Sequence, residues 1–312
     1  MTDTTGIRTV AAPPPPPGHP VPPPSLLRSD TSPASRGRIR LVPALPILVL
    51  ALFALAAIAA PLLTQHDPVK PNLLYSLQPP MWLDGGDAAY PLGTDRFGRD
   101  ILTRLIYGAR VSFSVVVVSI IIAVLIGVPV GVIAGYAGGW LDSLLMRFVD
   151  VLLSLQTILV GLVVAIALGP SFTNLVLVIG LLLWPLIARL MRGETLILKN
   201  QDFVRYARAI GVRKRTIFLR HILPNILPAL LVVMTLQIGS VILFEASLSF
   251  LGAGMPPPQA SWGVMIDDGR ALIATGWWVT LFPGIAITAT VLASNTFGDW
   301  LRDRLDPKTR QD

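Results

Sequence analysis

From Val151 to Ala188 the chain runs for 38 residues without an ionisable side chain. As one straight helix this would be about 57 Å long, nearly twice a hydrocarbon core of about 30 Å. "LGPSFTN" at 168–174 divides the run, so the sequence predicts a tight hairpin of two membrane helices. Further charge-free stretches lie at Leu41–Leu63, Val111–Tyr136, Ile222–Phe244 and Ala271–Gly298. Six spans result. Charged residues make up only 14% of the chain and hydrophobic ones 53%, which suits a membrane protein and not a soluble domain. Gly127, Gly131 and Gly135 recur every four residues, placing a smooth face on the second span where another helix can approach.

Residues 1–40, with Pro13–Pro17 and Pro22–Pro24, have little to bury and read as a disordered tail. Leu41–Leu63 is too long for a signal-peptide core and reads as an uncleaved span. Alternation through six spans puts both tails, the 137–147 turn and the 189–220 segment on one side, with 19 Lys and Arg against 6 opposite. The positive-inside rule makes that side cytoplasmic. The domain reading is a Pro-rich tail over 1–40, a six-helix membrane domain over 41–300 and a cytoplasmic tail over 301–312. Arg96, Arg99, Arg104 and Arg110 crowd the other side beside Asp95 and Asp100, which suggests a paired interfacial helix.

The absence of cysteine excludes disulfides and thiol chemistry, and the three histidines are too scattered to make a metal site. There is no phosphate loop, no HExxH and no GxSxG, so catalysis by this chain is not expected. The basic residues follow membrane topology with few aromatics among them, which argues against nucleic acid. An ion-driven secondary transporter is the competing class. It commonly carries membrane-buried carboxylates near mid-span, and none is present here.

The basic segment "QDFVRYARAIGVRKRTIFLRHILPN" at 201–225 interrupts this apolar chain. Phe203, Tyr206, Ala207 and Ile210 fall at i, i+3, i+4 and i+7, on one predicted helical face. Asp202 suits the helix start and Gly211 its left-handed stop, while a second helical run leads to Pro224 in the first turn of the next span. The periodicity alone admits a lipid-surface helix or a protein-docking helix.

"RYARAIGVRKRTIFLRHILP" is similar to the cytoplasmic-loop signature of permease subunits of ATP-binding-cassette importers: Glu-Ala-Ala, three residues, Gly, nine residues, then Ile-x-Leu-Pro. Here Arg205, Tyr206 and His221 replace the family's Glu, Ala and Ile. "PLGTDRFGRDILTRLIYGAR" at 91–110 and "EASLSFLGAGMPPPQASWGVM" at 245–265 resemble the dipeptide, oligopeptide and nickel branch, in its C-type permease. The resemblance spans about residues 40–310.

The resemblance implies an all-α integral membrane protein with six transmembrane helices in the type I importer fold, and a coupling loop at 189–221. Phe203, Tyr206, Ala207 and Ile210 would form the knob that seats on an ATPase, with Arg205, Arg208 and Arg213 at the rim and Gly211 and Pro224 shaping the lever. The implied partners are a second homologous permease, two ATPase subunits that bind ATP and Mg, an extracytoplasmic substrate-binding protein and the lipid bilayer. The chain itself would bind no cofactor. The expected cargo is a dipeptide or oligopeptide, with nickel or another small solute as the alternative, and the expected location is a bacterial inner membrane. Gln156, Gln237 and Glu245, polar groups within or at the mouth of spans, are the candidates for the translocation path. Asp150 is expected to pair with Arg147, and Trp262 to lie at the membrane interface.

Overall fold

The computed structural model describes residues 44–64 and 66–305. The Pro-rich tail 1–40 and residues 306–312 of the C-terminal tail lie outside them. Eleven α-helices follow in order among the described residues: α1 Ala44–Ile58, α2 Ala60–Leu63, α3 Ile101–Ala137, α4 Gly139–Ser154, α5 Thr157–Leu168, α6 Phe172–Lys199, α7 Asp202–Ala209, α8 Lys214–Ile217, α9 Leu223–Phe250, α10 Trp262–Gly269 and α11 Trp278–Leu305. No strand forms among the described residues; Thr94 and Asp100 make an isolated bridge.

Four helices are long and apolar enough to cross a bilayer: Ile101–Ala137, Phe172–Lys199, Arg215–Phe250 and Trp278–Leu305. The third expected span is the pair α4 and α5, bent by 84°. The first is represented by α1, an apolar helix of 15 residues in the described part.

The glycine stripe does what its spacing predicts. A Cβ on Gly131 would come within 2.2 Å of the Ala188 carbonyl oxygen, so α3 and α6 cross with their backbones in contact. Such an approach compensates for the absence of a hydrophobic driving force between helices in lipid.

The expected third span, beginning at Val151, requires correction. Helix α4 already starts at Gly139, so the polar interval is helical, and Asp142 makes a two-pronged bond to Arg192 of α6 at 2.5 and 2.7 Å. Asp150 pairs with Arg189 of α6 and not with Arg147, because α4 lies beside α6 at this end. The break falls at Leu155 and Gln156, both extended. Just before it the Ser154 hydroxyl donates to the Val151 carbonyl at 2.7 Å, a local bond that competes with the helix ladder. The expected turn at 168–174 does form. Ser171 caps α6 by accepting the Asn174 amide at 3.0 Å, while Asn174 Nδ2 closes α5 through the Leu168 and Gly169 carbonyls at 2.8 and 3.0 Å.

Two other boundaries move. Helix α3 begins at Ile101, ten residues before Val111, because Asp100 caps it through the Thr103 amide at 2.9 Å. Helix α11 starts at Trp278 and continues to Leu305, into the stretch read as a tail.

Three of the four arginines before the second span, Arg96, Arg99 and Arg104, join an ion-pair network whose centre, Arg99, Arg104 and Asp95, is buried, while Arg110 is exposed. Asp95 receives Arg99 Nε at 2.7 Å and Arg104, and Asp268 at the end of α10 receives Arg96, Arg99 and Arg104 at 3.1 Å each. Asp268 was missed in the sequence because 164 residues separate it from Arg104. Trp262, expected at the membrane interface, is fully buried within the protein, and its Nε1 donates to the Leu105 carbonyl at 3.0 Å.

Candidate functional site

At the end where α3 turns into α4 and α6 stops, Lys199 Nζ donates to the Gly135 and Tyr136 carbonyls at 3.2 and 2.7 Å. The last carbonyls of α3 are thereby capped by a cation from α6. The chain then enters α7. Val204 and Ala207 point into a cluster with Ile187, Met191, Val149 and Ile217, which anchors the loop by burial.

The opposite face of α7 is apolar and open. Phe203, Tyr206 and Ile210 are 41%, 71% and 80% exposed. Ala207, expected on this face, lies instead with Val204 on the buried side. A contact made by the protein itself therefore uses the i+4 position, and the exposed stripe is i, i+3, i+7. Arg205 and Arg213 are exposed at its rim, Arg205 within 3.9 Å of Asp202. The side chain of Arg208 is outside the described part.

Helix α7 ends as a Schellman turn. Gly211 has φ +80°, the Ile210 amide donates to the Tyr206 carbonyl at 3.1 Å, and the Val212 amide reaches back to the Ala207 carbonyl at 3.0 Å. A Cβ on Gly211 would meet nothing within 4 Å, so the requirement for glycine there is conformational and not steric. Arg213 then starts α8 through its carbonyl, and α8, a π-helical turn at Phe218–Ile222 and α9 run on as one helix, Arg215–Phe250. Pro224 is exposed and lies just after the π turn, inside this continuous helix, where it withholds an amide donor from the preceding turn. π turns insert an extra residue into a helix and concentrate at functional sites.

The candidates for the translocation path are scattered. Gln156 is exposed at the elbow between α4 and α5, and Gln237 is half-buried in the middle of α9. Glu245 does not sit at an open mouth: it is fully buried, bonded by Ser112 of α3 and Ser249 of its own helix.

Membrane-length helices, with an exposed apolar helix joined through a glycine turn to one of them, make a multi-pass membrane chain with one apolar face left open. The chain belongs to the family of binding-protein-dependent transport system inner membrane components, whose family model matches residues 127–311. It is 38% identical to the dipeptide transport system permease protein DppC of Alkalihalophilus pseudofirmus, over 85% of each chain. Identity to the di/tripeptide transport system permease protein DppC of Pseudomonas aeruginosa is also 38%, over 85% of this chain and 87% of that one. Against the glutathione transport system permease protein GsiD of Shigella flexneri it is 45%, over 73% and 75%. In fold, the chain is similar to a chain of the inward-facing MetNI methionine ABC transporter, with a TM-score of 0.55 at 18% identity, covering 66% of this chain and 98% of that one.

Proposed function

We propose that this chain is one of two permeases in an ATP-driven importer of short peptides, and that α7 is the surface on which an ATPase subunit seats. The observation that carries the reading is the exposed Phe203, Tyr206 and Ile210 stripe on a helix joined through Gly211 to the continuous helix Arg215–Phe250. Nucleotide-driven closure needs a contact whose geometry differs between states, and a docked helix fused to a span supplies one.

A dipeptide, a di/tripeptide and the tripeptide glutathione are the cargoes named for the relatives, which supports short peptides over nickel. Two ATPases would bind ATP and Mg, while this chain would bind neither and hydrolyse nothing. A second, homologous permease would complete the pathway, and an extracytoplasmic binding protein would deliver the cargo. The excess of Lys and Arg supports a cytoplasmic position for α7 and both termini in a bacterial inner membrane.

The chain contains no cysteine, so a single Ile210→Cys substitution reports cleanly. In the assembled complex a short bifunctional reagent is expected to join it to the ATPase subunit. Failure to capture that subunit, with the complex intact, refutes the docking role.

A further inference from the structure

The Glu245 carboxylate is a junction. Ser112 on α3 donates to Oε2 at 3.2 Å and Ser249, one turn along α9, donates to Oε1 at 2.9 Å. Ser261, which caps α10 by accepting the Val264 amide at 3.3 Å, brings its hydroxyl to the same carboxylate. Among the described residues no Lys, Arg or His pairs with Glu245. The surrounding packing is closed. A Cβ on Gly263 would come within 2.6 Å of Ala246 Cα and 2.8 Å of Ser249 Cβ, so α10 presses on α9 beside this carboxylate.

A buried carboxyl group held only by hydroxyls is a poor source of stability, and a leucine of similar volume would commonly do as well or better. What leucine lacks is the capacity to accept bonds from donors on separate helices and so fix their register. Glu245 does this for α3, α9 and α10 together. At the far end of α10, Asp268 holds Arg96, Arg99 and Arg104. Helix α10 is therefore fastened at its first residue to the end of α9, and at its last turn to the segment that leads into α3.

We propose that Glu245 is a positioning residue for transport: it ties the far end of the α9 lever to α10, so that displacement of α7 is delivered to the arginine cluster at the opposite end of the molecule. The proposal rests on the docking role of α7 given above. Its test uses the full complex in lipid nanodiscs, with spin labels on Asp267→Cys and Arg110→Cys and distances measured with and without a trapped ATP analogue. The distance is expected to change on trapping. Glu245→Leu should assemble and trap nucleotide yet lose the change, and Glu245→Gln, which keeps an acceptor oxygen, should retain part of it. Ser261→Ala removes one hydroxyl and spares the packing; it should shift the ratio of the two distance populations about fivefold, the net worth of one hydrogen bond. A Glu245→Leu or Ser261→Ala complex with the unsubstituted distance change overturns the proposal, as does an unsubstituted complex whose distance does not move. Failure of the docking role shows itself separately, as a missing Ile210→Cys cross-link in a complex with intact Glu245.

Discussion

Gly211 is a residue at which the backbone itself makes a conformational demand. With φ at +80° and open space where a Cβ would stand, substitution strains the chain without striking a neighbour. Asparagine tolerates this conformation and a β-branched residue does not. Transport should therefore fall in the order Gly, Gly211→Asn, Gly211→Val. The valine variant carries about 1–2 kcal/mol of local strain and loses substrate-stimulated ATP hydrolysis while the complex still assembles. Equal activity in the asparagine and valine variants would assign the glycine another role. The two faces of α7 should separate in the same way. Tyr206→Ala and Ile210→Ala, at exposed positions, are expected to leave the thermal midpoint of the purified chain unchanged and to lower affinity for the ATPase. Ile217→Ala, at a fully buried position, should cost about 2–5 kcal/mol of stability and lower that midpoint.

At the level of elements, the crossing of α3 and α6 admits a sharper prediction. Gly131→Leu places a side chain where the Ala188 carbonyl already stands, so the chain should fail to accumulate in the membrane, whereas Gly193→Leu on α6, where a Cβ meets nothing, should be tolerated. Expression in membranes, followed by detergent extraction, distinguishes them. The crossing was legible in the sequence because a period of four with the smallest residue is a direct statement about helix contact. The hairpin turn at 168–174 was legible for a similar reason, since Gly, Ser and Asn each carry local bonding rules. The elbow at Leu155 was not. It arises from a serine bonding back into its own turn and from α4 lying along α6 through Asp142 and Arg192, pairings across 50 residues that no local pattern announces. The early start of α3 was hidden for the same reason: Arg104 can sit inside a helix end only because Asp95 and Asp268 converge on it. In the candidate site, the periodicity of α7 revealed an amphipathic helix but not which apolar residues the protein keeps for itself. Val204 and Ala207 were claimed by the cluster around Met191, and Phe203, Tyr206 and Ile210 were left over. Glu245 stands out in the sequence as a polar group at the end of a span, but the serines gathered around it, at 112, 249 and 261, are far apart in the chain and only the fold assembles them.

At the level of the whole molecule, the turn at Gly138, the Lys199 cap and α7 share one end, while the arginine network, α10 and the start of α11 share the other. In cells, a membrane-impermeant thiol reagent should label Asp87→Cys from outside and leave Ile210→Cys unlabelled until the membrane is opened; the reverse pattern would invert the proposed orientation. The continuous helix Arg215–Phe250 joins those two ends. At about 1.5 Å per residue its 36 residues measure about 54 Å, more than the hydrocarbon core is thick. About two thirds of the way along it from Arg215, Gly239 lies flush against Ser294 and Asn295 of α11. On the proposed docking role, a helix gripped there would turn a sideways push on its long arm into a shorter, opposite swing at Phe250. One mouth would then narrow as the other widens, with no separate signal needed to keep both from standing open at once.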